Sequence, residues 1–218
     1  MKGRLITLEG GEGAGKSTVL AAVQARLCEH AIDVQITREP GGTAIGEAVR
    51  ALVLDKSMSD VCAESELLLM FAARAQLVRR VIEPALAAGR WVLSDRYVDA
   101  SYAYQGGGRG QPLERITSLD RWVTAGVRPD LTLLLDLPVE QGLSRSAERG
   151  AADRIESEQT EFFERVRASY RERAATEPQR FVIIDASSDI ETVRAAAIAA
   201  IDRFVACAKR DETGRGSV

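Results

Sequence analysis

The sequence predicts a doubly wound α/β fold, in which helices cover both faces of a parallel sheet of about five strands. The first observation behind this prediction is alternation, since short apolar segments are separated by longer segments with helical spacing of apolar residues. The second is that the apolar segments are continuous, as in LTLLLDL at 131–137, which is typical of strands buried on both faces. The third is size, because 218 residues suit one domain with a small insertion.

The predicted elements cover nearly the whole chain. Strands are expected at 4–9, 32–37, 90–95, 131–137 and 180–185. Helices are expected at 16–29, 44–53, 60–88, 112–126, 139–148, 158–176 and 189–208. Pro84 predicts a kink or break in the third helix, because proline lacks the backbone N–H that an interior helical position donates. We expect one domain over 1–208, with a flexible loop at 105–110 and a disordered polar tail at 209–218.

Composition and charge exclude several classes of function. The chain has 29 basic and 32 acidic residues, a formal charge of −3, so no nucleic-acid partner is expected. Its single histidine, His30, excludes chemistry that needs a pair of histidines. Cys28, Cys62 and Cys207 are far apart and form no CxxC motif, so we expect buried, unpaired cysteines in a cytoplasmic protein. No apolar run has the length of a membrane span, and no signal peptide is indicated.

A glycine-rich turn after the first predicted strand carries the most specific local motif. Residues 10–17, GGEGAGKS, fit the pattern G-x-x-x-x-G-K-[ST] and lie between a strand and a helix, as that pattern requires. Glycines let backbone N–H groups turn towards phosphate oxygens, and the helix N-terminus adds partial positive charge. The residues expected to bind a nucleoside triphosphate here are Gly10, Gly11, Glu12, Gly13, Ala14, Gly15, Lys16, Ser17 and Thr18. Lys16 would reach the β- and γ-phosphates, and Ser17 would offer its hydroxyl to Mg²⁺.

Acids at the ends of predicted strands are candidates for ordering the shell of that cation. Asp95, Asp136 and Asp185 each end a strand, and each alone is a weak signal. Asp95 is favoured because Arg96 follows it, and an acid beside a cation suits one magnesium shell and one phosphate. Glu12 is an unexpected acid within the glycine-rich turn, because phosphate oxygens would repel it. It either faces a hydroxyl of a second substrate or a metal-bound water, or is a solvated surface residue.

Nucleotide binding alone leaves the type of enzyme open. No N-K-x-D motif occurs, which disfavours a GTPase switch. Phe71 and Arg74 are three residues apart on one predicted helix and share a face, where an aromatic plane and a guanidinium could hold a planar base. The alternative is a core phenylalanine beside a solvated arginine.

Six segments, in this order, extend the pattern beyond the glycine-rich turn. They are GGEGAGKS at 10–17, TREPGGT at 37–43, FAAR at 71–74, DRY at 95–97, AYQGGGR at 103–109 and DRIE at 153–156. With them the chain resembles the bacterial thymidylate kinase family over nearly its whole length. The resemblance implies the P-loop NTPase fold with a small helical lid, and phosphorylation of dTMP to dTDP by ATP and Mg²⁺ in dTTP synthesis. It also implies a homodimer.

The same resemblance implies roles for individual residues. Phe71 would stack on thymine, and Arg74 would hydrogen-bond the edge of the base. Arg38 and Arg96 would hold the dTMP phosphate, and Glu12 would face the sugar 3′-hydroxyl. The residues implied to line the rest of the pocket are Glu39, Pro40, Ser101, Tyr104 and Gln105. Tyr104 would lie beneath the sugar and disfavour a 2′-hydroxyl.

A lid over ATP is implied at 142–156, GLSRSAERGAADRIE. Arg145 and Arg149 are four residues apart on one helical face, and Arg154 follows after Gly150. Family members without an arginine in the phosphate loop carry catalytic arginines in the lid. The resemblance therefore assigns Arg149 and Arg154 to the triphosphate, with Arg145 as a further ATP contact. The alternative is a solvated helix whose arginine–carboxylate pairs each contribute little.

The implied chemistry depends on charge rather than on a general base. The attacking phosphate oxygen of dTMP is already anionic, which suits a chain with one histidine. The residues expected to act in catalysis are Glu12, Lys16, Arg96, Arg149 and Arg154. Ser17 and Asp95 are expected at the metal. Two alternatives remain open: a related nucleotide or deoxynucleoside kinase that reads another base, and a non-catalytic P-loop module that binds ATP and changes partners.

Overall fold

A parallel sheet of five strands forms the centre of the protein in the computed structural model, which describes residues 2–58, 60–148 and 152–215. The strands are β1 (Leu5–Gly10), β2 (Val34–Arg38), β3 (Trp91–Asp95), β4 (Leu131–Asp136) and β5 (Phe181–Asp185). They lie in the order β2–β3–β1–β4–β5, and every neighbouring pair is parallel. The predicted doubly wound α/β fold is confirmed.

Helices cover both faces of the sheet. They are α1 (Lys16–Glu29), α2 (Ala44–Leu54), α3 (Ala63–Leu77), π1 (Val78–Ile82), α4 (Glu83–Ala87), α5 (Val98–Ser101), π2 (Tyr102–Gly108), α6 (Leu113–Thr124), α7 (Val139–Ala147), α8 (Thr160–Thr176) and α9 (Ile190–Arg215). Alternate residues of β1 face two different cores. Ile6 and Leu8 pack with residues of α1 and α9, whereas Leu5 packs with residues of α3 and α6. Burial on both faces explains why the strands read as continuous apolar runs.

The strand register brings the chemically important loops to one edge of the sheet. Leu8 is paired with Asp95, and Gly10 is paired with Leu135, so β1, β3 and β4 end close together. β2 adds Arg38, which is paired with Asp95. Ligands of open parallel sheets bind at this carboxyl edge, and the glycine-rich turn, TREPGGT and DRY all begin there.

The glycine-rich stretch 105–110 corrects one prediction. It was expected to be a flexible loop, but residues up to Gly108 belong to π2, and Gln105, Gly106 and Gly108 are buried. A Cβ at Gly107 would lie 2.7 Å from the Cβ of Ser169, and one at Gly108 would lie 2.4 Å from Phe162. The glycines therefore serve close packing of π2 against α8 rather than flexibility.

One helix ends later than expected, and the predicted helix 60–88 changes its type directly before Pro84. α9 continues to Arg215, so residues 209–215, which were expected to be disordered, are helical, and residues 216–218 lie outside the described part of the chain. Lysine, arginine and glutamate are good helix formers, so polarity alone does not end a helix. π1 replaces regular α-helix directly before Pro84, so the change of helix type falls where the proline has no N–H to donate to the preceding turn.

The cysteines are exposed, not buried as expected. Cys28, Cys62 and Cys207 are all free thiols on the surface. Cys62 precedes α3, whereas the other two lie on the outer faces of α1 and α9. Within the described ranges, no helix is long and apolar enough to cross a membrane.

Candidate active site

The glycine-rich turn forms a loop between β1 and α1 with a backbone that glycine adopts most easily. Gly10, Gly13 and Gly15 have φ angles of 140°, 67° and 85°. A Cβ at Gly13 would lie 2.1 Å from the carbonyl oxygen of Gly142, so the loop packs directly against the backbone of α7. The N-terminus of α1 follows at Lys16. Loop and helix together form the anion-binding arrangement that the motif predicts.

Lys16 lies back over this loop. Its Nζ donates hydrogen bonds to the carbonyl oxygens of Gly10 at 3.1 Å and Gly11 at 2.7 Å. Burial and the neighbouring charge of Arg96 lower the pKa of Lys16 from 10.5 to about 8. Bound phosphate would oppose this shift, because a nearby negative charge favours the protonated amine. The ammonium group is therefore held by neutral carbonyls at the place where phosphate oxygens are expected.

Arg96 is fixed at the edge of the loop. Its φ of 68° is unusual for a residue with a side chain, and such backbone strain is concentrated at functional sites. Its Nη1 donates to the carbonyl of Gly10 at 3.0 Å and the hydroxyl of Tyr170 at 3.2 Å. Its Nη2 donates to Glu12 at 2.8 Å. The guanidinium also lies 4.7 Å from the centre of the Tyr104 ring.

Glu12 is not a solvated surface acid. Its carboxylate accepts hydrogen bonds from Arg96 and, at 2.6 Å, from the hydroxyl of Tyr104. Its side chain is only 16% exposed. The acid is therefore built into the wall between the phosphate loop and the residues of π2.

Beneath the loop lies a buried group of hydrogen-bonded side chains, centred on Glu9, that the sequence did not predict. Glu9 accepts hydrogen bonds from the backbone N–H of Tyr97 and from the hydroxyl of Tyr170, both at 2.7 Å. Burial and the charge of Asp99 raise the pKa of Glu9 from 4.5 to about 8, so its carboxyl group is protonated at neutral pH. The one sequence signal is a glutamate inside the apolar run 4–9. Tyr170, on α8, has no local signal.

A cavity of about 450 Å³ lies over the loop and is lined by residues 12–18. Of the other predicted site residues, Arg38, Asp95, Arg96 and Arg145 line it as well. Arg50 and Asp153 also line it, although neither was among the predicted site residues. In the sequence, Asp153 could have been found from its place in the DRIE segment. Nothing in the sequence distinguishes Arg50 from the other arginines on helices.

The three strand-end acids differ in their surroundings. Asp136 accepts two hydrogen bonds from Arg167, at 2.7 and 3.0 Å. Asp185 accepts from the backbone N–H and the hydroxyl of Ser187. Asp95 Oδ1 is instead buried with no hydrogen-bond partner among the described residues. A buried carboxylate oxygen without a partner needs water or a cation, so Asp95 is the acid whose surroundings fit a metal.

A smaller cavity of about 110 Å³ adjoins the first. Its walls include Pro40, Met70, Tyr104 and Gln105. Gln105 is buried, and its Oε1 has no hydrogen-bond partner among the residues described. The cavity therefore combines apolar walls with a lining residue whose acceptor is buried and has no partner among the described residues.

Phe71 and Arg74 lie behind this cavity and do not line it. Arg74 is fully buried and donates to Glu39 Oε2 through Nε at 2.8 Å and Nη2 at 2.6 Å. Its Nη1 donates to Ser101 at 2.9 Å, and its guanidinium lies 4.6 Å from the centre of the Phe71 ring. The alternative of a solvated arginine is therefore excluded. Glu39 is the member of this unit that lines both cavities.

Two of the predicted cations that line the cavity over the loop, Arg38 and Arg145, have exposed side chains. Arg38 pairs with Glu47 at 2.8 Å, and both side chains are exposed. Arg145 is also exposed, and it donates to the carbonyl oxygen of Ala186 at 3.0 Å. Neither contact holds its arginine in the cavity as firmly as Arg96 is held.

Arg154 points away from the phosphate loop. Its Nε donates to the carbonyl oxygen of Val53 at 2.7 Å, and its Nη2 donates to Glu66. It lines neither cavity. Arg149, the other lid arginine assigned to the triphosphate, lies outside the described residues.

Comparison with known proteins decides the family. Residues 8–197 match the family model for thymidylate kinase. The chain belongs to the thymidylate kinase family. It is 56% identical over 194 residues to the thymidylate kinase of Pseudomonas putida (strain GB-1), covering 89% of this chain and 92% of that one. It is 50% identical over 204 residues to the thymidylate kinase of Chromobacterium violaceum, covering 94% and 96%.

A solved structure supports the same conclusion. The crystal structure of thymidylate kinase from Ehrlichia chaffeensis matches with a TM-score of 0.75 and 29% identity, over 93% of this chain and 99% of that one. Membership of the thymidylate kinase family confirms the resemblance, the fold and the prediction of a kinase. The roles of individual residues remain predictions. The geometry of the site supports some of them, such as that of Arg96, better than others, such as that of Arg154.

Proposed function

We propose that this protein transfers the γ-phosphoryl group of ATP to dTMP, giving dTDP. The observation that carries the proposal is the junction of the two cavities. Glu12, Glu39, Arg50, Arg96 and Asp153 line both of them. A donor bound on the phosphate loop and an acceptor bound in the smaller cavity would therefore meet beside Arg96.

The residues around the junction suit phosphoryl transfer. This reaction needs positioning and stabilisation of negative charge more than covalent help from the protein. Lys16 and Arg96 are cations at the loop, and the lid would add Arg149 as proposed from the resemblance. The anionic acceptor phosphate needs no base, and Glu12, an acid at the junction, already accepts hydrogen bonds from Arg96 and Tyr104.

The smaller cavity suits the base of dTMP. Pro40 and Met70 supply apolar surface for a methylated ring, and Gln105 Oε1 supplies an acceptor for a ring N–H. Tyr104 and Glu12 both line this cavity and are joined by a hydrogen bond, and the sugar is expected beside them. Phe71 and Arg74 support the pocket from behind through Glu39 and Ser101.

We propose Ser17 and Asp95 as the residues that hold the magnesium shell. Both line the cavity over the loop, and the buried Asp95 Oδ1 has no partner among the described residues. Across 2–58, 60–148 and 152–215 no cluster of three acidic, histidine or cysteine side chains could form a protein cage for a metal. Mg²⁺ commonly keeps waters and substrate phosphates as ligands and takes few from protein. When bound, it would neutralise charge on the β- and γ-phosphates.

We also propose that the protein is a cytoplasmic homodimer. α3 packs on α6, and these helices expose Leu68 (57%) and Trp122 (77%). Large apolar side chains exposed on adjacent helices are typical of an interaction surface. The free thiols of the three cysteines suit a reducing compartment. Light scattering after size-exclusion chromatography should give twice the mass of one chain, and Trp122→Glu should reduce it.

The proposed reaction is tested with a coupled assay for ADP in the presence of ATP, Mg²⁺ and one monophosphate at a time. The panel is dTMP, dUMP, UMP, dCMP, AMP and GMP. A strong preference for dTMP is expected. Preference for another monophosphate would keep the chemistry and contradict the base assignment. ATP binding without turnover of any monophosphate would favour a non-catalytic module.

A further inference from the structure

One buried carboxylate connects the smaller cavity to the lid. The side chain of Glu66, on α3, is 1% exposed. Its Oε1 accepts a hydrogen bond from Gln105 Nε2 at 3.0 Å, and its Oε2 accepts from Arg154 Nη2. Arg109 completes the cluster through Nη2, at 3.1 Å from Oε2, and through Nε, which reaches both oxygens.

These contacts keep Glu66 ionised. Burial alone would raise its pKa, but hydrogen bonds from Arg109, Gln105 and Arg154 hold the pKa below its usual value. Arg109 is itself fixed, because it also pairs with Glu158 and lies 4.8 Å from the centre of the Phe162 ring. An ionised carboxylate can only accept hydrogen bonds.

The charge on Glu66 decides which end of the Gln105 amide is turned to it. Because Glu66 only accepts, Gln105 must present its NH₂ group. The carbonyl Oε1 is then the end of the amide turned away from Glu66; it is buried and has no hydrogen-bond partner among the described residues, and Gln105 is one of the residues that line the smaller cavity. A protonated or neutral side chain at position 66 would allow the amide to turn round.

We propose that Glu66 is a positioning residue for the base pocket, which fixes Gln105 with its carbonyl oxygen towards an N–H donor of the acceptor base. Arg109 and Arg154 support this role by binding the same carboxylate. The N3–H of thymine is such a donor, so the proposal rests on the proposed function. It also gives Arg154 a role in dTMP binding in place of the contact with the triphosphate that the resemblance implies.

A double-mutant cycle separates this role from general stabilisation. Gln105→Leu removes the amide at similar size, and Glu66→Gln removes the charge at similar size. Each change should raise the KM for dTMP about fivefold, the loss expected for one hydrogen bond, with kcat and the KM for ATP little changed. The double variant should be no worse than Gln105→Leu alone, because the two residues act through one contact.

Glu158→Gln is the matched control. It removes the charge of another partner of Arg109, and Glu158 is not a hydrogen-bond partner of Gln105, so the KM for dTMP of this variant should equal that of the wild type. Circular dichroism verifies that each variant is folded. If Glu66→Gln does not fold, Glu66→Asp replaces it in the cycle, since it keeps the charge and withdraws the carboxylate from Gln105.

The role of Glu66 is overturned if the two single variants raise the KM for dTMP by factors that multiply in the double variant. It is also overturned if Glu66→Gln leaves the KM for dTMP unchanged. Arg154→Gln should raise the KM for dTMP and leave kcat unchanged. A lower kcat with an unchanged KM for dTMP would indicate instead that Arg154 acts on the triphosphate. Wild-type activity is measured first. An inactive wild type contradicts the proposed function, whereas an active wild type with an additive cycle contradicts only the role of Glu66.

Discussion

The phosphate loop and the lid use arginine in opposite ways. Beside the loop, Arg96 is held by a backbone carbonyl, Tyr170 and Glu12, so its cation is in place before any ligand arrives. In the lid, Arg145 is exposed with one bond to a backbone carbonyl, and Arg154 is bound to Glu66. The position of the positive charge beside the loop is therefore fixed in advance. In the lid, the position of the charge depends on which partner each arginine binds. Substitutions in the two regions should therefore differ in size.

The largest effect is expected from Lys16→Ala. Its Nζ lies on the loop carbonyls, and no other lysine lines the cavity over the loop. kcat should fall about 10³-fold, as for the loss of a preorganised group that stabilises transition-state charge. The coupled assay measures it, with Lys56→Ala, an exposed lysine, as the control. Activity within tenfold of the wild type would mean that the loop is not the centre of charge stabilisation.

Asp95→Asn should have the next largest effect. If Asp95 orders the magnesium shell, the Mg²⁺ concentration for half-maximal activity should rise about 10–100-fold, the usual cost of losing an outer-shell partner. Asp185→Asn, at the end of β5, is the matched control, because Asp185 is already capped by Ser187. Equal effects of the two substitutions would remove the distinction between the strand-end acids.

Local features of the loop were predictable because their determinants are contiguous. The predicted helix 16–29 is α1, and three of the four glycines of the turn, Gly10, Gly13 and Gly15, have positive φ angles. Features that depend on distant partners were not predictable. Tyr170 meets Glu9 across 161 positions, and Arg154 meets Glu66 across 88 positions, and neither separation leaves a local pattern.

The stretch 105–110 shows the same limit from another side. Its glycines predict flexibility when they are considered alone. In the fold they let α8 approach π2, because the side-chain atoms of Phe162 and Ser169 occupy the space that a Cβ would need. Glycine content shows that a segment can be flexible. Its packing partners determine whether it is flexible in the folded protein.

A smaller effect is expected from the protonated carboxyl group beneath the loop. The pKa of Glu9 is raised from 4.5 to about 8 in the folded protein, so folding binds a proton that the unfolded chain has lost. The resulting stability is complete below pH 4.5 and is lost as the pH rises through about 8. Glu9→Gln removes this dependence, so between about pH 5 and pH 9 its thermal midpoint should fall less than that of the wild type.

Thermal unfolding of both proteins across this pH range measures the effect, at about 2–4 °C for each kcal/mol. The charge of Glu9 also acts on the pKa of Lys16, so both proteins carry Lys16→Met to remove that titration from the comparison. Parallel curves for the wild type and the variant would show that Glu9 is ionised in the folded state.

Arg145→Ala should have the smallest effect of the four. The arginine is exposed, and within the described part of the chain it has one hydrogen bond, to the carbonyl oxygen of Ala186, so its loss should raise the KM for ATP only about twofold. Initial rates at varied ATP and saturating dTMP measure it. A loss as large as that of Lys16→Ala would show that the lid is as preorganised as the loop, and the contrast between the two regions would disappear.

The most direct test follows the transferred group itself. The protein is incubated with Mg²⁺, dTMP and ATP labelled at the γ-phosphate, and the labelled products are separated. The label should appear in dTDP, in a yield that matches the ADP formed, and Lys16→Ala should abolish its transfer. Label found only in free phosphate, or no transfer by folded protein that binds ATP, would contradict the assignment of the two cavities to donor and acceptor.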